Sequence, residues 1–495
     1  MGRKLTVFYT GDCHGNFDGL SRCSASFARS GNALLMDGGD TLHGSPLTYY
    51  LYRQRKPDGV SVPAAVMNAV GYHFITLGNH DFSFGRGALD EYLDQLDAVC
   101  LCANMTGQDR AKKTSVITLE NGLRVGITGI TSTSIPCFET EDHLSGLQFS
   151  DAFSAAKEAY RELSEAHADI TVCVYHGGYE MPPEEYVPGE TDILSDILSE
   201  NQGLKIASEL QFDILLTAHQ HKAFSGKMIC GTYTCQIPEK CAGYIRLEAD
   251  ENGEISAELI AAGEEKDGKV SDIIRPAEEE MQTWMNSTAG FLDTELIPEE
   301  PLKMAADGSM IANFLNQIQQ DASGADISCT ALGNSQSGFS RAVSNMEIIC
   351  GYQYANTLEV LRVNRKILKA AIERSAEFFA CDASGNLCVS RAFLEPMVQF
   401  FNYDFYSGIE YVLDPHRPCG ERVISIRFKG EELPEDKWLN LCLNSYRAAG
   451  NGGYPFFGNA ETVLRGKTEI QELIFTYMKK YGNVCVDRKK WITVL

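Results

Sequence analysis

Five short segments of this chain gather side chains that bind hard cations. "GDCHG" offers Asp12 and His14 two residues apart, and "DGGDTLHGS" offers Asp37 and Asp40. "LGNHDF" offers Asn79, His80 and Asp81, "VYHGG" offers His176, and "AHQH" offers His219 and His221. Five of the ten histidines in the chain, His14, His80, His176, His219 and His221, are the imidazoles offered here. The donors are carboxylate, amide and imidazole with no organised thiolate, a set that suits Mn, Zn, Fe or Mg better than a structural zinc cage. Two neighbouring divalent cations repel each other unless a carboxylate bridges them. Asp40 follows Gly38-Gly39, can approach closely, and is the candidate bridge. A bridged pair brings the pKa of a shared water near neutrality and clamps the oxygens of an in-line displacement, which is phosphoester hydrolysis.

Each residue also has a plainer reading. An isolated His-x-His is more often a solvated loop pair than a ligand pair, and it shares one face only on extended backbone. Asp12 taken alone could equally cap the turn that follows it. Asp37 reads as structural because Asp40 already fills the bridging role. His43 and His73 lie outside the motifs and read as ordinary. Cys13 reads as core, turned by strand alternation away from Asp12 and His14. Asn79 next to His80 in a Gly-bounded turn is rarely needed for packing.

The elements that must position these side chains are short apolar runs. "KLTVFYT", "NALLMDG", "HFITLGN", "SVITLE", "RVGITGI", "DITVCVYHG" and "DILLTAH" read as strands, several of them too solidly apolar for a sheet with a wet face. Residues 150–168 read as an amphipathic helix capped by Ser150 or Asp151, and 244–260 as a hairpin turning at Asn252-Gly253. The class is α/β, helices packed on β-sheets, and the motifs sit where strands end, at the carboxyl edge where such folds place their sites. An acidic and then Pro-rich stretch marks the domain junction. The expected division is 1–265, a linker at 266–300 with a helix near 275–287, and 301–495.

Composition narrows the partners. The net charge of -24 over 495 residues, without a dense Lys/Arg run, argues against a nucleic-acid polymer. A small anionic substrate remains compatible, since bound cations reverse the local potential. No apolar run is long enough to span a membrane, and the N-terminus lacks a secretory apolar core. Sixteen scattered cysteines without a C-x-x-C read as reduced thiols of a cytoplasmic protein, although a chain stripped of its signal would look the same. The residues say nothing of oligomeric state.

In this order the five motifs resemble those of the calcineurin-like metallophosphoesterase superfamily, over roughly residues 4 to 262. The resemblance implies a sandwich of two β-sheets flanked by helices and a site for two divalent metal ions. Asp12, His14, Asp40 and His221 would hold one ion, and Asp40, Asn79, His176 and His219 the other. His80 would protonate the leaving oxygen or stabilise the phosphoryl charge, with Asn79 and Asp81 beside it. Two departures stand out. Ser83 occupies the position where relatives with a nucleotidase-type second domain carry an Asp that supports this histidine, and Asp81 is a possible substitute. Ala218 replaces the commoner Gly before His219.

The second half is similar to the C-terminal α/β domain of the 5'-nucleotidase family, through "YQYANTL", "NYDFYSGIEYVLD" and "NSYRAAGNGGYPFF". The patterns lie nearer the 2',3'-cyclic-nucleotide 2'-phosphodiesterase/3'-nucleotidase branch. In such domains two aromatic rings sandwich the nucleobase, here expected of Tyr403 and Tyr454 with Tyr406 in reserve. Glycines around Tyr454 are expected to expose it, whereas Tyr403 is as readily core as ligand. The N-G-G-x-R stretch of 5'-nucleotidases is absent from "CTALGNSQSGFSRAV", leaving Arg341 and Arg447 to meet phosphate or ribose. The expected substrate is a small nucleotide, carried to the metals by a hinged second domain. The alternatives are a 5'-nucleotidase or nucleotide-sugar hydrolase, and a weakly active nucleotide-binding protein.

Overall fold

Residue alternation along the first strand explains the architecture of the N-terminal half. In a computed structural model that describes residues 2–188, 200–352, 354, 356–395 and 398–495, Lys4–Thr10 turns Leu5, Val7 and Tyr9 to one face and Phe8 to the other. Leu5, Val7 and Tyr9 enter a core shared with Val172, Val174, Ile214 and Leu216 of a second sheet, whereas Phe8 packs among helices. The outer face of the second sheet is covered in turn by Ala152–Glu165 and Gly203–Glu209. The result is four layers, helix, sheet, sheet, helix, with both sheets buried on both faces.

The first sheet has seven strands and the second six. Lys4–Thr10, Ala33–Asp37 and Phe74–Ile75 run parallel side by side in the first. In the second, Ile170–Tyr175 and Ile214–Thr217 do the same. All five motifs follow the carboxyl ends of these five strands. The hairpin Gly243–Asp250 with Ile255–Ala261 closes one edge of the first sheet, and Asp151 caps the helix at 152–165 by accepting the Ser154 N–H.

The chain divides into compact units Met1–Met281 and Gln282–Leu495. The division falls inside the helix Gly268–Asn286, whose Val270, Ile274 and Ala277 belong to the core of the first unit. The second unit is built on a five-stranded and a four-stranded sheet with helices Met310–Ser323, Arg365–Ala376 and Ile470–Tyr481 around one core. No helix among the described residues is long and apolar enough to cross a membrane, and all sixteen cysteines are unpaired.

The core of the second unit holds a buried ion pair. Arg447 is 1% exposed and its Nη2 lies 3.0 Å from Asp404 Oδ1. The remaining guanidinium protons go to the carbonyls of Phe401 and Asn451, and the group stacks 4.0 Å over the Tyr454 ring. A buried pair broken on one side leaves an uncompensated charge, so Arg447→Met alone should destabilise the fold by about 3–5 kcal/mol. The double change Asp404→Leu with Arg447→Met should recover much of that loss in urea unfolding.

Candidate metal centre

Asp40 stands where the two sheets' loops meet. Its Oδ2 lies 3.3 Å from His176 Nε2 and 3.8 Å from His14 Nε2, while its Oδ1 accepts the His80 N–H at 2.7 Å. On one side His221 Nε2 lies 3.0 Å from His14 Nε2 and 3.9 Å from Asp12 Oδ1. On the other, Asn79 Oδ1 lies 3.2 Å from His176 Nε2 and 2.9 Å from His219 Nδ1. The side chains therefore form two groups that meet at one carboxylate oxygen: Asp12, His14 and His221, and Asn79, His176 and His219.

The donor atoms fit divalent cations. His14 Nδ1 lies 2.9 Å from the His43 carbonyl, which can only accept, so Nε2 keeps its lone pair and points it at another imidazole nitrogen. His176 is fixed the same way, with Nδ1 2.7 Å from the Gly38 carbonyl. Asp12 is fully buried, and while its Oδ2 accepts the His219 N–H at 2.8 Å, its Oδ1 has no hydrogen-bond donor. A buried acceptor without a donor costs about 1–3 kcal/mol, which a cation among these atoms would remove. Asp12, His14 and His221, and likewise Asp12, Asp40 and His176, place one ligand atom each within 4.8 Å of one another.

Backbone geometry aims the donors. Asp12, His14, Asp40, His219 and His221 all have positive φ, at 47°, 50°, 58°, 75° and 60°. They are five of the ten non-glycine residues with positive φ among those described. Such conformations are strained for residues with a Cβ and gather where a site needs them. His219 and His221 thus lie beyond the strand Ile214–Thr217 on left-handed backbone, and not on an extended segment. Gln220 between them is tied away by two bonds to the Tyr179 backbone. The glycines serve close approach. A Cβ on Gly39 would strike the Leu77–Gly78 backbone, and one on Gly78 would strike the Asp40 carboxylate and the His176 ring.

Without a cation the cluster carries a conflicted charge pattern. Burial pushes the Asp12 carboxyl up to about 8, only partly offset by His176. Burial also disfavours the charge on Asp40 and His176, but their mutual attraction wins: His176 rises to about 10 and Asp40 falls well below the usual carboxylate range. Divalent cations bind the deprotonated donors and displace such protons.

His80 sits at the edge of this cluster, its ring 5.4 Å from that of His14 and stacked 5.4 Å from that of His43. His43, expected to be ordinary, therefore belongs to the site through both its carbonyl and its ring; burial and His80 push it down to about 4. His73 and Asp37 are structural, the first accepting the Leu35 N–H and the second bonding Thr10 and the Gly39 N–H.

Asp81 requires correction as a catalytic candidate. It is 1% exposed, and its two oxygens accept the N–H groups of Asp40, Thr41, Leu42 and Gly78 at 2.8–2.9 Å. All of its reach goes into clamping the Asp40 loop to the Asn79 loop. Ser83 is also occupied, donating to Glu139 Oε1 at 2.6 Å, and Glu139 takes His143 Nδ1 at 2.7 Å on its other oxygen.

The substrate candidates of the second unit fare differently. Tyr454 is fully buried and not displayed by its glycines: its hydroxyl donates to the Asn402 carbonyl and Arg447 covers its face. Tyr406 is buried as well, and Arg447 is consumed by Asp404. Arg341 is exposed, and its backbone carbonyl accepts the Leu292 N–H. Tyr403 is 2% exposed, with its hydroxyl donating to the Ala305 carbonyl, yet its ring helps to line a cavity of about 120 Å³. Phe378, Phe400 and Phe405 form other walls of that cavity, and Asn334 and Gln336 line it with their amides bound to backbone. Phe400, Glu139, Glu200 and Glu239 escaped sequence reasoning, because none lies in a spacing pattern with the residues it meets.

Residues 5–223 match the calcineurin-like phosphoesterase family and residues 293–459 the C-terminal domain family of 5'-nucleotidase. The trifunctional nucleotide phosphoesterase YfkN of Bacillus subtilis is 22% identical over 90% of this chain, which spans 34% of that protein's length. The 2',3'-cyclic-nucleotide 2'-phosphodiesterase/3'-nucleotidase of Haemophilus influenzae is 22% identical, covering 90% of this chain and 78% of that protein. A crystal structure of a putative 5'-nucleotidase from Staphylococcus aureus, in complex with alpha-ketoglutarate, superposes with a TM-score of 0.77 at 28% identity over 99% of both chains.

Two substitutions test the supporting shell. Asp81→Ala leaves four backbone donors without their acceptor and should cost about 3 kcal/mol of stability, read in thermal or urea unfolding. Ser83→Asp sets a second carboxylate against Glu139 and should lower the melting temperature, whereas Ser83→Thr should keep it.

Proposed function

We propose that this chain, which joins a calcineurin-like phosphoesterase to a 5'-nucleotidase C-terminal domain and belongs to that family of enzymes, hydrolyses phosphoesters of small nucleotides, a 2',3'-cyclic nucleotide or 3'-nucleotide first among them. The observation that carries the reading is the pair of donor groups sharing Asp40 Oδ2, 3.3 Å from His176 and 3.8 Å from His14. Two divalent cations held there would neutralise a phosphate and lower the pKa of water between them. Asp12, His14, Asp40 and His221 are the proposed ligands of one ion, and Asp40, Asn79, His176 and His219 of the other. His80, anchored through its backbone to the bridging carboxylate, is the proposed proton donor to the leaving oxygen. His43, stacked on it, limits where that ring can turn.

The second unit supports a nucleotide as the substrate. Its aromatic-walled cavity offers stacking, worth about 1–3 kcal/mol per base. The amides of Asn334 and Gln336 are bound to backbone at Val398, Phe400, Gly333, Ser337 and Gly351, and so hold the loop that closes one side of the cavity. The loop at 333–338 carries those amides where 5'-nucleotidases carry an arginine, which favours the cyclic-nucleotide reading. Similarity to the Staphylococcus aureus structure favours the second reading, a 5'-nucleotidase.

A hydrolysis panel with added Mn decides between them. Turnover of 2',3'-cyclic AMP and 3'-AMP above 5'-AMP is expected, and preference for 5'-AMP establishes the second reading. Chelation should abolish activity and Mn restore it. Asp40→Asn should remove metal and activity together; retained binding of two ions would refute the bridge. Phe400→Ala should raise KM for nucleotides while leaving turnover of bis(p-nitrophenyl) phosphate within about twofold, since only the nucleotide has a base to stack.

A further inference from the structure

Each imidazole of the cluster is gripped on its outward nitrogen, but the grips differ in charge. His14 and His176 are held by backbone carbonyls, of His43 and Gly38. His219 is held by a carboxylate: Glu200 Oε1 lies 3.0 Å from His219 Nε2. His221 has a looser counterpart, with Glu239 Oε2 3.5 Å from its Nδ1. A carboxylate next to an imidazole nitrogen accepts its proton bond, so Nε2 of His219 carries the hydrogen. Nδ1 then turns its lone pair toward Asn79 Oδ1, 2.9 Å away. A cation beside the two atoms would relieve the facing lone pairs.

Glu200 is delivered rigidly. Its backbone carbonyl accepts the hydroxyl of Tyr175 at 3.0 Å, and the same hydroxyl receives the Gln202 N–H. Tyr175 is the last residue of the strand that ends at His176, and it is fully buried. The backbone of Glu200 is therefore anchored to the strand that also sets His176, a ligand of the same group. Its side chain is 32% exposed, so it remains charged and in contact with water.

We infer that Glu200 is the outer carboxylate of one of the two ion sites: it fixes His219 with Nδ1 inward and selectively strengthens the ion held by Asp40, Asn79, His176 and His219. The inference rests on the two-ion reading of the centre. Glu200 is a positioning residue, acting through His219. A hydrogen-bonded carboxylate also raises the basicity of the ligand it grips, so its loss weakens metal binding before it disturbs the fold.

The test is a Mn titration of metal-free full-length protein, followed by calorimetry and electron paramagnetic resonance, in wild type, Glu200→Gln and Glu200→Ala. Wild type should take up two ions per chain. Affinity for one ion should fall about 10–100-fold in Glu200→Ala and less in Glu200→Gln, which keeps an acceptor without the charge. The other ion should stay within about twofold, and the melting temperature of the metal-free protein should not move. Unchanged affinity for both ions overturns the inference, as does an equal loss at both. A fall in the metal-free melting temperature that accompanies the lost affinity overturns it as well, since Glu200 would then act on the fold. Uptake of fewer than two ions by wild type removes the two-ion reading itself and this inference with it, and so separates the two failures.

Discussion

One carboxylate oxygen has to serve two clusters of lone pairs. Asp40 Oδ2 sits between imidazoles that belong to loops from opposite sheets, and most features of the N-terminal unit follow from bringing it there. The two sheets stack so that their parallel strands end on one edge. Gly39 and Gly78 let the loops touch backbone to backbone, and Asp81 ties the two together through four N–H groups. The outward nitrogens of His14 and His176 are then claimed by carbonyls, so their remaining lone pairs have nowhere to point but inward. A site assembled this way is preorganised for positive charge, since bonds elsewhere hold His14, His176 and His219 in their orientations.

The C-terminal unit applies the same logic to an aromatic cavity. Arg447 and Tyr454 do not meet solvent; they bind the carbonyls of Phe401 and Asn402 and the carboxylate of Asp404. The segment they hold carries Phe400, Tyr403 and Phe405, which line the aromatic cavity. A polar network under the wall fixes the segment while its rings pack edge to face, Tyr403 against Phe405 and Phe400 against Phe378. The buried ion pair is thus the support of the cavity wall.

Much of this was legible in the residues, and the gaps have a physical pattern. Donor types recur at strand ends because strands are short and their apolar runs are easy to see, so Asp12, His14, Asp40, Asn79, His176, His219 and His221 could be picked out by type. The hairpin at Asn252-Gly253 and the cap at Asp151 are local codes and were readable for the same reason. Partners that come from far along the chain were not. Glu200 and Glu239 meet histidines in other loops, Glu139 meets Ser83 across 56 residues, and no spacing rule connects them. Asp81 was misread because a carboxylate in a motif and a carboxylate under it have the same sequence signature. Tyr454 was misread because glycines that loosen a loop in isolation also let it fold tightly over a guanidinium.

The left-handed backbone at Asp12, His14, Asp40, His219 and His221 sets the chain against itself. At such positions glycine relieves strain, so the replacements that destroy the centre most completely are also those that the polypeptide would accept most comfortably. Natural drift in a lineage that no longer needed the chemistry would erase these side chains early, because stability would reward the loss. A chain that keeps all five side chains keeps their backbone strain with them.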